Sequence, residues 1–238
     1  MEDIAKEKYI NYYDKSLEIL TTFDKEKKPT LLLHVCCGPC AGFPLTFVCQ
    51  YFDVTILFNN SNIYPASEFK KRLDNLNILL AGLEKDYGFH INLVVPEYDY
   101  ASFRKELEPY GDMPEGKQRC WICYRKRMEE AYQYAEERGF DYFTTVMTIS
   151  REKNSQILNY IGSELERKHP KTKYFYSDFK KKDGFNKTVA IRKQYDLYYQ
   201  MYCGCEYSLR DSLKWRAAKA KNSDLKQDNH VQDAQLND

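Results

Sequence analysis

Short apolar runs alternate along the chain with longer segments in which apolar residues recur every three or four positions. This alternation is typical of repeated βα units around a mostly parallel sheet. The apolar runs predict strands over 31–35, 54–58, 91–95 and 142–148, and a shorter strand over 174–176. The pattern therefore predicts an α/β fold.

Helical spacing is clearest over 67–86, where Ser67 is the expected N-cap and apolar residues from Phe69 to Leu83 share one face. A second helix is predicted over 119–138, ending before Gly139. Further helices are expected over 155–168, 190–201 and 208–218. The helices would flank the sheet.

The chain divides into three parts by composition. The segment 1–28, before Pro29, reads as an added helix packed on the outside of the sheet, and 29–219 as a single α/β domain. No linker rich in Pro, Gly or Ser divides that domain, and a length of 238 residues suits one domain. The polar segment 220–238 is predicted to be a disordered tail.

The composition limits the class of protein to which the chain can belong. Charged residues make up 30% and the mean hydropathy is -0.70, which excludes a membrane bundle and predicts no membrane partner. Lys plus Arg number 36 against 35 Asp plus Glu, so there is no global field for nucleic acid, although a local basic patch can still bind a polyanion. The segment 1–23 is charged and lacks the apolar region of a secretory signal, so we expect a cytoplasmic protein.

Cysteines give the strongest chemical signal, because seven of the 8 fall in three tight groups. The groups are Cys36, Cys37 and Cys40; Cys120 and Cys123; and Cys203 and Cys205. The first group follows a predicted strand, at the sheet edge where ligands of α/β proteins bind. The second lies at a helix start, where backbone amides stabilise thiolates, and the third is expected to follow a helix. In a reducing compartment such grouping indicates metal or redox chemistry.

Four thiolates from Cys36, Cys37, Cys120 and Cys123 would suit a 4Fe-4S cluster, whereas zinc usually takes two CxxC pairs. The other three, Cys40, Cys203 and Cys205, could hold a second metal with an open position. Alternatively, Cys203 and Cys205 could cycle between a dithiol and a disulfide. Cys49 lies in an apolar stretch and is predicted to be a core residue.

These motifs, with their neighbours, resemble one known family over about three quarters of the chain. The matching segments are His34-Val35-Cys36-Cys37-Gly38-Pro39-Cys40, Tyr64-Pro65 with Glu68-Phe69 and Arg72, Glu115-Gly116 with Arg119-Cys120-Trp121-Ile122-Cys123-Tyr124 and Arg127, Ile161-Gly162, Asp178-Phe179-Lys180-Lys181, and Leu197-Tyr198-Tyr199-Gln200-Met201-Tyr202-Cys203-Gly204-Cys205-Glu206-Tyr207-Ser208. The family is the QueH-type epoxyqueuosine reductases, which are independent of cobalamin. Gly38, where the family often has Ala, is a departure outside the expected ligands.

The resemblance implies a Rossmann-like fold related to the HUP class, with the metal site at the carboxyl ends of the strands. It implies a 4Fe-4S cluster on Cys36, Cys37, Cys120 and Cys123, with Cys203 and Cys205 beside it on a second iron or as a redox-active pair. The family carries Cys or Asp at the position of Cys40, which favours a mononuclear iron on Cys40, Cys203 and Cys205, with an open position that acts as a Lewis acid.

The activity that this resemblance implies is the reduction of epoxyqueuosine to queuosine at the wobble nucleotide of tRNA, the last step of queuosine biosynthesis. The expected partners are the anticodon stem-loop of that tRNA and an external electron donor, and no cobalamin is expected.

Other polar residues carry weaker expectations. His34 shares a strand face with Cys36, and we expect it to support the site or the core. Glu68 and Arg72 could contact substrate or simply pair as neighbours on a helix. Two basic runs, Arg125 to Arg127 and Lys180 to Lys182, could contact phosphates, and one or two of the 21 tyrosines could stack on an unpaired base.

Two other functions remain open from the residues. An ATP-using tRNA-modifying enzyme of the PP-loop kind would cradle phosphate at the turn 36–40, but that turn carries one glycine and bulky thiols. A zinc-stabilised RNA-binding protein without enzymatic activity would use the same cysteines structurally. Colour and metal content would discriminate these alternatives.

Overall fold

Five short strands of mainly buried residues form one parallel sheet in the computed structural model, which describes residues 9–24 and 26–219. The strands are β1 (Thr30–His34), β2 (Asp53–Leu57), β3 (Asn92–Val94), β4 (Tyr142–Thr145) and β5 (Lys173–Tyr174). Their order is β3-β2-β1-β4-β5, and all four pairings are parallel, so every carboxyl end lies at the same edge. This confirms the predicted α/β class with a parallel sheet.

Helices cover both faces of the sheet. They are α1 (Tyr12–Leu20), α2 (Gly38–Val48), α3 (Ala66–Tyr87), α4 (Tyr100–Leu107), α5 (Gln118–Glu137), α6 (Ser155–Lys168), α7 (Gly184–Gln194) and α8 (206–219), with 3-10 turns at Glu108–Tyr110 and Val146–Ile149. Along β1, Leu31 and Leu33 pack with α2 and α3, while Leu32 packs with α5 and α6. Alternate side chains of one strand therefore fill two core layers, as expected for a sheet buried on both faces.

Several predicted boundaries were wrong. The predicted strand 142–148 ends at Thr145, and the helix predicted over 190–201 instead spans Gly184–Gln194. Cys203 and Cys205 consequently precede α8 rather than follow a helix. Ser67 does not cap α3, because Pro65 occupies the N-cap position and makes no side-chain cap. Helices α2 and α4 were not predicted.

The segment before Pro29 contributes α1, which lies against α6. The backbone of Ile10 exchanges two hydrogen bonds with the side chain of Gln156 at the start of α6, and Tyr12 stacks on Tyr176. The predicted tail, 220–238, lies outside the described residues. None of the described helices is long and apolar enough to cross a membrane.

Candidate metal centre

The first cysteine group lies directly after β1, at the carboxyl edge of the sheet. Cys37 is the N-cap of α2, and its sulfur accepts a hydrogen bond of 3.3 Å from the backbone N–H of Cys40. The sulfurs of Cys36, Cys37 and Cys40 lie within 4.8 Å of one another, and those of Cys36 and Cys37 are 4.0 Å apart. Thiolates about 2.3 Å from one tetrahedral metal ion are separated by about 3.8 Å, so this spacing can hold a metal.

These three sulfurs share their protons unequally. Hydrogen bonds from the Cys37 and Cys40 thiols hold the pKa of Cys36 well below its usual range. Burial raises the pKa of Cys37, and the hydrogen bond to Cys36 raises that of Cys40 to about 12. The amide of Gln200 donates to both of these sulfurs, at 2.9 Å to Cys37 and 3.3 Å to Cys40. Cys36 is thus the preferred thiolate of the group.

The other two cysteine groups meet in a single small cavity. Cys120 and Cys123 lie on the first turns of α5, and Cys203 and Cys205 lie in the loop before α8. All four line a cavity of about 20 Å³, together with Asn62, Glu115, Arg119, Tyr124, Ser208 and Leu107. Burial raises the pKa values of Cys120 and Cys205, and raises that of Cys123 to about 12. All of the cysteines are free of disulfide bonds.

The structure places the seven cysteines that the sequence singled out in two clusters. Cys40 lies beside Cys36 and Cys37, whereas Cys203 and Cys205 lie beside Cys120 and Cys123. Cys49 is 5% exposed, in the apolar core.

The donor set fits iron as well as zinc, because thiolates are ligands of both iron-sulfur clusters and zinc sites. Two residues that line the small cavity, Asn62 and Arg119, each carry a buried polar atom without a hydrogen-bond partner, Oδ1 and Nη2, which is consistent with a polar guest nearby. A 4Fe-4S cluster would require the cysteine sulfurs to separate further.

Two cations, buried Arg127 and half-buried Lys153, interact electrostatically with cysteines of both clusters. Arg127 is 2% exposed and interacts electrostatically with Cys123, Cys36 and Cys203. Burial disfavours the charge of Lys153, but Cys203, Tyr124, Cys36 and Cys40 raise its pKa well above the usual range. The sequence analysis missed Lys153, because a lone lysine carries no signal until the fold places it.

His34 supports the side chains around the cysteines through hydrogen bonds, and we do not assign it as a metal ligand. Burial, followed by the charge of Arg127, lowers the pKa of His34 to about 3, so the ring is neutral. Its Nε2 lies 3.1 Å from the Arg127 guanidinium and accepts from it, which assigns the proton to Nδ1, 2.7 Å from Thr145 Oγ1. Arg127 also donates to Asn60 Oδ1 at 2.9 Å. Asn60 was another residue that the sequence analysis missed, and only its place after β2 could have indicated it.

Arg72 holds the third cysteine group in place. Its guanidinium donates to the backbone carbonyls of Cys203 (2.9 Å) and Tyr202 (3.0 Å) and pairs with Glu68 at 2.8 Å. Glu68 and Arg72 are therefore paired as neighbours on a helix. Arg72 also fixes the loop 195–205 through its hydrogen bonds to the two carbonyls. Gly204, with φ of 129°, lies so close that an added Cβ would be 3.0 Å from Arg72 Nη1.

Most of the basic residues weighed as phosphate contacts have partners within the protein. Arg125 pairs with Glu164, Lys126 pairs with Glu106, and Arg127 is buried. Lys180 pairs with Asp178 at 3.2 Å. Lys181 and Lys182 are exposed.

Comparison with known proteins gives a consistent result. The model of the family described as epoxyqueuosine reductase QueH matches residues 31–211. The epoxyqueuosine reductase QueH of Streptococcus pyogenes serotype M1 is 35% identical over 202 residues, covering 84% of this chain and 79% of that protein. Proteins of the same name from Histophilus somni strain 129Pt and Staphylococcus epidermidis are 37% identical over 192 residues and 33% identical over 206 residues; these matches cover 80% and 85% of this chain, and 76% and 86% of the relatives.

Proposed function

The chain belongs to the QueH family of epoxyqueuosine reductases, and on that basis we propose that it reduces epoxyqueuosine to queuosine at the wobble position of tRNA anticodons. Membership makes the chain an oxidoreductase of queuosine biosynthesis. The observation that carries the proposal is the clustering of seven cysteines in two groups inside the region that matches the family. One group is Cys36, Cys37 and Cys40, and the other is Cys120, Cys123, Cys203 and Cys205.

For the cofactor, we propose a 4Fe-4S cluster on Cys36, Cys37, Cys120 and Cys123. A mononuclear iron on Cys40, Cys203 and Cys205 would lie beside it, and the competing version replaces that iron with a redox-active Cys203 and Cys205 pair. The charges of Arg127 and Lys153, which act on cysteines of all three groups, support a single centre. No cobalamin takes part in this proposal.

The reaction removes the epoxide oxygen. Both C–O bonds break, a C=C bond forms, and two electrons with two protons convert the oxygen to water. The electrons come from an external one-electron donor of low potential. When bound, the iron centre would pass electrons one at a time and would act as a Lewis acid.

Side chains of this chain would donate protons and balance negative charge around that centre. Burial raises the pKa of Tyr124 well above its usual range, so its hydroxyl keeps a proton in the cysteine cavity. Lys153 keeps its ammonium charge beside Cys203, Cys36 and Cys40. We propose that these two groups donate the protons to the departing oxygen and that Arg127 offsets the added negative charge.

A direct assay tests the activity. Anaerobically reconstituted protein, a low-potential reductant and tRNA bearing epoxyqueuosine are incubated without cobalamin, and the digested tRNA is examined for queuosine. We expect conversion. Repeated failure of cluster-loaded preparations to convert the tRNA would overturn the proposal.

We also propose that the protein is located in the cytoplasm, because tRNA modification takes place in that compartment.

Metal analysis tests the ligand sets. We expect about five irons per chain, and loss of one iron in Cys40→Ala and Cys205→Ala. Loss of the whole cluster in Cys40→Ala, with Cys37→Ala retaining it, would contradict the proposed division. A total of about four irons would favour the redox-active pair, and colourless protein that carries zinc would end the redox proposal.

A further inference from the structure

A basic pocket outside the cysteine centre has no assigned role. It has a volume of about 440 Å³ and opens widely to solvent. Three segments build it: the residues that precede α1, the loop before α6 with the start of that helix, and the region from the end of β5 to α7. The lining side chains are Tyr9, Arg151, Ser155, Asp178, Lys180, Lys181, Asp183, Phe185 and Asn186.

The cations of the pocket differ in whether they are already neutralised. Lys180 pairs with Asp178, whose other oxygen accepts from Ser155 at 2.9 Å. In contrast, the guanidinium of exposed Arg151 lies 3.7 Å from the centroid of the Phe185 ring and forms no ion pair with any described residue. Lys181 is exposed as well.

Both free cations lie beside aromatic rings. The ammonium of Lys181 is 5.2 Å from the centroid of the Tyr9 ring, and Tyr9 is 56% exposed. The carboxylate of Asp183 accepts a hydrogen bond from Asn186 at 2.6 Å. The pocket thus offers two cations for phosphate and two rings for a base, and its volume suits a nucleotide.

The pocket is adjacent to the cysteine centre. Lys180 donates to the backbone carbonyls of Thr148 (3.0 Å) and Lys153 (3.4 Å). The ammonium of Lys153 acts on the other side, on Cys36, Cys40 and Cys203. The loop between β4 and α6 therefore contacts both sites.

We propose that this pocket binds a nucleotide of the substrate RNA next to the one that reacts, with Arg151 and Lys181 on its phosphates. The inference rests on the proposed function for the identity of the RNA. It also gives the added N-terminal segment a role, because hydrogen bonds between Ile10 and Gln156 hold Tyr9 at the rim of the pocket.

The test compares two double variants of the full chain that lose the same charge. Arg151→Gln with Lys181→Gln removes the free cations of the pocket. Lys27→Gln with Lys171→Gln removes two exposed cations near the amino ends of β1 and β5, at the opposite edge of the sheet. Both variants should unfold at the wild-type urea concentration, because the four residues are exposed.

Binding is measured by the fluorescence anisotropy of a labelled, unmodified anticodon stem-loop at several salt concentrations. We expect the pocket variant to bind roughly 10- to 100-fold more weakly at low salt, with the slope of log K against log salt reduced by about two. The control variant should stay within about twofold of wild type. Equal weakening of both variants, or of neither, would overturn the inference.

Because the RNA is unmodified, this outcome is independent of the reductase assay. Weaker binding by the pocket variant without any epoxyqueuosine reduction by wild type would retain the pocket and remove the proposed activity. With an active enzyme, we expect the pocket variant to raise KM for tRNA and leave kcat unchanged. An unchanged KM would overturn the inference while leaving the activity in place.

Discussion

Replacing Arg72 with Met should detach the loop that carries Cys203 and Cys205. Arg72 is 1% exposed, and its guanidinium makes an ion pair with Glu68 and two hydrogen bonds to backbone carbonyls in the loop. Met has a similar length and fills much of the same volume. The substitution therefore removes the charge and its hydrogen bonds with little change in packing.

The magnitude follows from what is left unpaired. Removing one partner of a buried ion pair costs about 3–5 kcal/mol, out of a total folding free energy of about 5–15 kcal/mol. Two orphaned carbonyls would add to this, but the loop can expose them to water by detaching. The Tyr198 hydroxyl, 3.3 Å from Glu68 Oε2, compensates in part. We therefore expect a loss of about 3 kcal/mol.

Helix α3 supplies a matched control. Lys70 and Asp74 have the same i,i+4 spacing as Glu68 and Arg72, but their side chains are 75% and 53% exposed. The free energy of unfolding of Lys70→Met should change by less than about 0.5 kcal/mol. Removing the stranded carboxylate as well, in Glu68→Gln with Arg72→Met, should recover at least about 1 kcal/mol.

Urea unfolding gives the free energies, and thiol labelling of metal-free protein followed by peptide mapping reports on the loop. In Arg72→Met, Cys203 and Cys205 should react faster than in wild type, while Cys120 should change less. A loss of less than about 1 kcal/mol with unchanged labelling of both cysteines would refute the argument that Arg72 clamps the loop.

Three other substitutions or reagents test separate parts of the structure. Gly162→Ala should cost more than about 3 kcal/mol in urea unfolding, because its Cβ would lie 2.2 Å from the buried Tyr174 ring, and a cost below 1 kcal/mol would contradict that packing. Burial raises the pKa of Cys49 to about 12, so at pH 9 its alkylation in the folded protein should be at least about 100-fold slower than in urea, and equal rates measured by peptide mapping would refute this. Arg127→Met should lower the iron bound per chain after reconstitution because it leaves the thiolates without their buried cation, whereas wild-type iron content would show that its charge is dispensable.

Strands and amphipathic helices could be predicted because each has one face in a core layer. Helix α6 was predicted with the observed bounds, since Ile157, Leu158, Ile161 and Leu165 recur at helical spacing. Helix α2 was missed because it packs against the sheet, α3 and α7, so its residues are apolar nearly all round and carry no helical period. Its two prolines are also typical of turns, although Pro39 lies in the first helical turn, where proline is tolerated.

The wrongly extended helix at 190–201 shows where long-range contacts override local pattern. Leu197 inserts into the core at 3% exposure, and the backbone N–H of Tyr198 donates to Asn75 Oδ1 at 2.7 Å. Asp196 adopts a φ of 47°, which ends the helical path. These partners lie on α3, more than a hundred residues away, so no local pattern could reveal them.

The same limit applies to the candidate centre. Spacing within each cysteine group is local and could be interpreted from the sequence, but which groups meet depends on how the loop 195–205 folds back. Arg72, which fixes that loop, could be named from the sequence only as a possible substrate contact or as a helix neighbour that pairs with Glu68. The role of Lys153 depends entirely on the turn that follows β4.

Charge explains why the fold gathers these cations around sulfur. Desolvation disfavours a buried cation, yet Arg72, Arg127 and Lys153 all lie where cysteine sulfurs raise their pKa values. If every thiol kept its proton, Arg127 and Lys153 would have no ion pair with any carboxylate of the described residues, and Arg72 would keep only Glu68. Thiolates bound to a metal supply that negative charge without an acidic residue at each position. Burial favours the protonated thiol at most of these cysteines, and the three cations would offset that effect once a metal binds the sulfurs, in a chain whose net charge is only +1.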